Sequence, residues 1–128
     1  MKKYCVMCGL IAALLVSYST AHAERTVWYV HPDSALNTIQ AGLDSCADND
    51  IVLVGPGTYY ENIIWPNTQG IHLISELGPE MTIIDGDSAG SVIYCSTYVC
   101  VETSIIRGFT IQNGYTSDYG GGIKCWGW

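Results

Sequence analysis

The stretch IVLVGPGTYYENIIWPNTQGIHLI, residues 51–74, carries the pattern that decides the fold. It contains three short runs rich in β-branched and aromatic residues, at residues 51–54, 59–65 and 71–74, and glycine, proline or asparagine separates them. Runs of this length with such punctuation are typical of short β-strands. The first run, residues 51–54, returns twenty residues later as residues 71–74, which indicates a repeat.

Similar runs continue along the chain at residues 82–84, 91–94, 104–106 and 109–111, and a further one begins at residue 123. The segment TIIDG at residues 82–86 is echoed by TIQNG twenty-eight residues later. No two runs are joined by a two-residue Asn-Gly or Asp-Gly turn, the usual signal of an antiparallel hairpin. We therefore predict an all-β parallel β-helix of about three to four coils, with a β-sandwich as the alternative.

The N-terminal residues have the layout of a secretory signal peptide. Lys2 and Lys3 precede an apolar run over residues 5–16, and Ala21-His22-Ala23 offers a small-residue cleavage site. The apolar run is shorter than the roughly 20 residues that span a bilayer. We expect residues 1–23 to be removed, and residues 24–128 to be one secreted or cell-surface domain without a membrane span.

The charge of the chain disfavours nucleic acid as a partner. The net charge is −7, and without the leader only Arg25, Arg107 and Lys124 oppose twelve acidic residues, which gives −9. The acidic residues are scattered, as expected for a solvated surface. Such a surface repels phosphate backbones.

One segment has helical periodicity. Leu36, Ile39, Leu43 and Ala47 fall on a single stripe, and Ser34 or Asn37 could cap its start. We predict a short helix here that lies against an apolar surface.

Four cysteines follow the leader, namely Cys46, Cys95, Cys100 and Cys125. Four cysteines allow three complete pairings, and an oxidising compartment would permit a Cys95–Cys100 disulfide. Burial as small core residues is the other interpretation, and we favour it for Cys125. Their spacing does not match a zinc site, so no metal is predicted.

Five segments occur in an order that resembles a known family: TIQAGLDSC, DIVLVGPGTYYENI, GPEMTIIDG, IIRGFTIQNG and GGGI. Over residues 28–124 the chain resembles the N-terminal coils of secreted bacterial right-handed β-helix proteins of the pectin-lyase-like superfamily. The resemblance implies a right-handed parallel β-helix whose first helix covers the open end through Leu36, Ile39 and Leu43. It also implies that Ile123 and Cys125 face the interior once a further coil covers them.

The segment Gly57-Thr58-Tyr59-Tyr60-Glu61 matches the first Gly-x-Tyr-x-Glu element of pectin methylesterases at Gly57, Tyr59 and Glu61. The later motifs that carry the catalytic carboxylates of that family have no match. A catalyst of this type needs one carboxylate as nucleophile and another as acid or base, so Glu61 alone cannot serve. We assign no catalytic residue, and the structural alternative is a glycine turn with Tyr59 packed and Glu61 exposed.

The segment Asp85-Gly86-Asp87-Ser88 could hold Ca²⁺ through its two carboxylates. Calcium takes six to eight oxygen ligands, and this segment offers few of them. We favour a plain Asp-Gly turn and predict no cofactor.

Aromatic residues are numerous and suggest a ligand. Aromatic rings stack on flat apolar surfaces such as sugar faces, and we name Tyr59, Tyr60 and Trp65 as candidate carbohydrate-binding residues. The full set is Trp28, Tyr59, Tyr60, Trp65, Tyr94, Tyr98, Tyr115, Tyr119, Trp126 and Trp128.

These observations predict an exported β-helix scaffold that binds extracellular polysaccharide, and we lean against catalysis by this chain. The alternative is the N-terminal part of a pectin esterase or lyase whose catalytic coils follow residue 128. We also expect the chain to stop before the coil that would cover Ile123 and Cys125. Self-association through that uncapped end is a further expectation.

Overall fold

The structure is a computed structural model that describes residues 24–96 and 103–126. These residues form one helix, α1 at Ile39–Asp44, and ten strands. The predicted signal peptide lies outside the described residues. The strands are β1 Val27–Val30, β2 Ile51–Val54, β3 Gly57–Tyr60, β4 Ile63–Ile64, β5 His72–Ser75, β6 Thr82–Asp85, β7 Ile93–Cys95, β8 Ile105–Arg107, β9 Thr110–Gln112 and β10 Ile123–Cys125.

The strands form three sheets that the chain visits in a fixed order. Sheet 1 has the order β1-β2-β5-β8, sheet 2 has β3-β6-β9, and sheet 3 has β4-β7-β10. From β2 onward the chain runs through sheets 1, 2 and 3 three times in succession. Every strand pair within the described residues is parallel. The fold is therefore all-β with parallel sheets, and the alternative of a β-sandwich, which is built from antiparallel strands, is wrong.

The core follows from alternation along the strands. In β2, Val52 and Val54 are buried, whereas the two residues between and before them are only partly buried. Strand β5 repeats the pattern, with Leu73 and Ser75 buried. Successive side chains of a strand point to opposite faces, so the buried residues of paired strands stack upon one another.

The register differs from the sequence echoes by one residue. Ile51 pairs with His72, a spacing of 21 residues, and Ile83 pairs with Thr110, a spacing of 27. The echoes at 20 and 28 residues would have placed a core residue opposite a surface residue. A slip of one residue turns every side chain to the other face, so burial fixes the observed register.

The strand predicted across residues 59–65 is interrupted. The structure divides it into β3 and β4, with Glu61 and Asn62 between them. Asn62 Nδ2 donates to the carbonyl oxygens of Gly86 and Ser91, at 3.2 Å each. The Asn62 side chain therefore links the bend between β3 and β4 to the segment between β6 and β7.

Helix α1 is shorter than its periodic pattern suggested. Its N-cap is Thr38, whose Oγ1 accepts from Ala41 N at 3.2 Å, so the prediction of Ser34 or Asn37 as the cap is wrong. Ala47, the last member of the predicted stripe, is exposed beyond the end of the helix.

The helix packs closely on the first strands through its apolar face. Ile39 and Leu43 are completely buried, and α1 contacts β1, β2 and β4. A Cβ added at Gly42 would lie 2.7 Å from Val30 Cγ2 and 2.9 Å from Val52 Cγ1, so only glycine fits this approach. No helix within the described residues is long and apolar enough to cross a membrane.

Candidate functional site

The segment Gly57–Tyr60, which begins the esterase-like motif, is a structural element. Tyr59 is buried, and its hydroxyl donates to the Gly55 carbonyl at 2.9 Å. A Cβ added at Gly57 would lie 3.0 Å from Pro32 Cγ, so a side chain there would crowd the loop after β1. Tyr59 is thus packed, as the structural interpretation of the motif expected.

Glu61, the last residue of that motif, holds the start of α1. Its Oε1 accepts from Ile39 N at 2.8 Å and its Oε2 from Gln40 N at 2.9 Å. A carboxylate at this position satisfies backbone donors that have no partner within the helix, and it complements the helix dipole. Glu61 is half-buried, so the expectation that it is exposed is wrong. Both carboxylate oxygens of Glu61 accept hydrogen bonds from the backbone of α1.

Gln40 of α1 forms hydrogen bonds with the neighbouring strand β4. Its Nε2 donates to Ile64 O at 2.9 Å, and its Oε1 accepts from Ile64 N at 2.8 Å. The amide thereby acts like a strand partner at the free edge of β4. Unpaired strand edges invite association with other chains, and Gln40 closes this one.

The three aromatic residues named from the sequence do not form a platform. Tyr59 and Trp65 are core residues, so neither can present a ring face to a sugar, and the prediction is wrong for both. Tyr60 is 72% exposed. It borders a shallow groove of about 230 Å³, lined by Pro32, Asn37, Thr38, Thr58, Tyr59, Tyr60 and Glu61.

The Asp85 carboxylate accepts hydrogen bonds from three donors. One of its oxygens accepts from Gln112 Nε2 and Asn113 Nδ2, each at 2.8 Å, and the other from Asp87 N at 2.9 Å. The hydrogen bond from Gln112, followed by those from Asp87 and Asn113, lowers the pKa of the Asp85 carboxyl despite its burial. Two of these hydrogen bonds therefore connect the end of β6 to the end of β9, its neighbour in sheet 2. No cluster of three or more metal-binding side chains occurs in the described part of the chain.

Asp50 is a buried carboxylate that no sequence motif distinguished. It accepts hydrogen bonds from Thr26 N at 2.8 Å, Ala47 N at 2.9 Å and Trp28 Nε1 at 3.1 Å. Burial alone would raise the pKa of this carboxyl, but the hydrogen bonds outweigh it and the pKa is lowered. Asp50 ties the loop after α1 to β1 and has a structural role.

The described cysteines have different environments. Burial, together with the charge of Asp50, raises the pKa of the half-buried Cys46 thiol to about 11. Cys95 is buried, whereas Cys125 is exposed, contrary to the burial favoured for it. Cys100 lies outside the described residues, so the Cys95–Cys100 disulfide stays a prediction.

A groove lies beside β10, and we call it the aromatic groove. It encloses about 550 Å³ and is lined by Asp118, Tyr119, Gly120, Ile123, Lys124, Cys125 and Trp126. Tyr119 and Trp126 are 89% and 59% exposed. Lys124 Nζ lies 3.9 Å from Asp118 Oδ2 and 5.9 Å from the centroid of the Trp126 ring.

The aromatic groove combines features that ligand sites share. Two exposed aromatic rings offer flat surfaces for stacking, and an ion pair at the groove supplies a donor and an acceptor. Tyr119 and Trp126 belong to the aromatic set noted in the sequence, but nothing in their spacing distinguished them. The left-handed backbone of Gly120, with φ of 80°, brings the loop before β10 back onto Lys124 and so shapes the groove.

Comparison with known proteins adds no identification. No family model, no curated protein and no solved structure matches the chain.

Proposed function

We propose that this chain is an exported right-handed parallel β-helix that binds extracellular polysaccharide in the aromatic groove. The observation that carries the proposal is the pair of exposed aromatic residues, Tyr119 and Trp126, that line this groove of about 550 Å³. Stacking on these rings would hold a sugar face, while Lys124 and Asp118 would exchange hydrogen bonds with its hydroxyl groups.

The three-sheet topology supports the β-helix. A chain that adds one parallel strand to each of three sheets on every pass winds in coils, and the inward side chains of successive coils stack. Connections between parallel strands of one sheet are right-handed in about 98% of cases, which supports the right-handed sense. The resemblance of residues 28–124 to secreted β-helix proteins supports export and a polysaccharide ligand.

Binding of polysaccharides tests the proposal directly. The mature chain would be run by affinity electrophoresis through gels that contain neutral or acidic plant and microbial polysaccharides, and the tightest ligand would be titrated by calorimetry. We expect Trp126→Ala to weaken binding about tenfold, as the loss of one stacked ring implies. Tyr60→Ala changes an exposed aromatic residue beside the other groove and should leave the affinity unchanged.

The possible outcomes distinguish the aromatic groove from the groove beside β3. No retention by any polysaccharide would overturn the proposal, and so would equal binding by wild type and Trp126→Ala. Loss of binding in Tyr60→Ala alone would move the site to the groove beside β3. The alternative of a pectin esterase or lyase gains no support from Glu61, whose oxygens hold α1. Release of methanol or of unsaturated product from pectin would reinstate it.

A further inference from the structure

The outward face of sheet 1 has an unusual composition for the surface of an acidic protein. Residues on this face alternate with the buried ones in β1, β2, β5 and β8, and aliphatic side chains predominate among them. Their register forms two rows across the sheet, Val27–Ile51–His72–Ile105 and Tyr29–Leu53–Ile74–Arg107.

A cationic cluster lies on this face around His72. Arg25 Nη1 lies 3.4 Å from His72 Nδ1. A guanidinium only donates, so Nδ1 accepts in this contact and the proton of the neutral ring is on Nε2. Arg107 lies opposite Ile74 on the adjacent strand, one diagonal step from His72. Diagonal neighbours on one face are about 7–8 Å apart, within the reach of an arginine side chain.

Within residues 24–96 and 103–126, no salt bridge balances the positive charges of this cluster. Burial lowers the pKa of His72, and the charges of Arg25 and then Arg107 lower it further. Neither arginine forms a salt bridge with any described acidic residue. The two salt bridges in the described part of the chain are His31–Asp33 and Lys124–Asp118.

The acidic groups on neighbouring elements have other partners or lie outside this contact. Asp50, before β2, accepts from Trp28 and the backbone, and Glu76, after β5, accepts from the Tyr29 hydroxyl at 3.0 Å. Glu24 is exposed next to Arg25 in sequence and forms no described salt bridge. A chain of net charge −7 thus gathers two of its five basic residues around one histidine.

We propose that Arg25, His72 and Arg107 form a binding site for a sulfate or phosphate group. Two guanidinium forks and the His72 Nε2–H supply donors that suit the oxygens of a tetrahedral anion. Aliphatic neighbours, including Ile51, Ile74 and Ile105, exclude water from one side and strengthen the attraction. The site lies on sheet 1 and does not depend on the aromatic groove, which flanks β10 of sheet 3.

Sulfate is the probe of choice because its charge is constant between pH 5 and pH 8. The mature chain would be titrated with sodium sulfate at constant ionic strength, and the ring signals of its two histidines followed by NMR. His72→Gln assigns the signals. We expect a saturable shift of the His72 signals and none of the His31 signals. A bound anion favours imidazolium, so sulfate should also raise the apparent pKa of His72.

Charge-matched variants separate a site from general attraction. Arg107→Gln should weaken sulfate binding about tenfold, as expected for the loss of charge-assisted hydrogen bonds. Lys124→Gln removes the same charge beside β10 and should leave the sulfate affinity unchanged. Equal weakening by both variants, a shift that never saturates, or the same shift with chloride would overturn the proposal.

Methyl sulfate distinguishes the two sources of such a group. Binding as tight as that of inorganic sulfate indicates a site for a sulfate ester carried by a larger ligand. A clear preference for inorganic sulfate and phosphate indicates a site for the free anion. Either result supports the site, and failure of the aromatic groove to bind polysaccharide would leave it untouched.

Discussion

The two ends of the strand stack differ in how their inward side chains are covered. At the N-terminal end, α1 lies over the first strands, and Ile39 and Leu43 are completely buried. At the other end, β10 continues the column above Ile93, yet its Ile123 is 43% exposed. Ile106, Phe109 and Ile111 of the last pass are also only partly buried.

This difference shows that a side chain can point into the strand stack without being buried there. Ile111 pairs with the buried Ile84, and Ile106 pairs with the buried Leu73, so the last pass keeps the inward pattern. The covering element decides whether such residues are removed from water. Self-association through the C-terminal end of the strand stack would cover these residues, and it stays a prediction.

The strongest contrast between the ends should come from matched isoleucines. We expect Ile39→Ala to lower the free energy of unfolding by about 2–5 kcal/mol, because it leaves a cavity beneath α1. Ile123→Ala should cost less than about 1 kcal/mol, since the side chain is already half in water. Urea denaturation of both variants and the wild type measures the difference. Equal costs would show that the open end is covered in solution.

The rates at which Cys46 and Cys125 react with a thiol reagent compare the same two ends of the strand stack. The thiolate is the reactive form, and the pKa of Cys46, close behind α1, is raised to about 11 by burial and by Asp50. We expect iodoacetamide at pH 8 to modify Cys46 about 100-fold more slowly than the exposed Cys125. Mass spectrometry of peptides after timed quenching measures both rates. Unfolding in urea should abolish the difference, and a ratio below about tenfold in the folded protein would contradict it.

The carboxylate that holds α1 offers the smallest and most specific test. Glu61→Ala removes the acceptor for Ile39 N and Gln40 N, and we expect it to lower the free energy of unfolding by about 1–2 kcal/mol. Glu80→Ala changes an exposed carboxylate and should cost under about 0.5 kcal/mol. Urea midpoints compare the two. An unchanged midpoint in Glu61→Ala would show that α1 is held by its apolar face alone.

The sequence predicted most strands to within one or two residues. Runs of β-branched residues between Gly, Pro and Asn placed β2, and the echoes correctly indicated parallel repetition. The echoes differ from both observed spacings by one residue, because similarity between two segments does not show which face of each strand is buried. The Ile71–Leu73 pair is buried with His72 between them, and that alternation determines the register.

Functional residues were harder to predict because their roles depend on distant partners. Tyr59, Tyr60 and Trp65 have similar chemistry, yet only Tyr60 is exposed. Glu61 looked like part of an enzyme motif, but its partners are backbone groups about twenty residues earlier. The aromatic groove depends on the loop before β10, and no local pattern signals it.

Strand positions, the helical stripe and the acidic balance of the chain were set by local composition, because β-propensity, periodicity and charge act over a few residues. Pairing register, the role of Glu61 and the cluster around His72 were decided by the tertiary structure. Each of these depends on which residues from different passes become neighbours. That choice follows from the burial of whole columns of side chains, a property that no single segment carries.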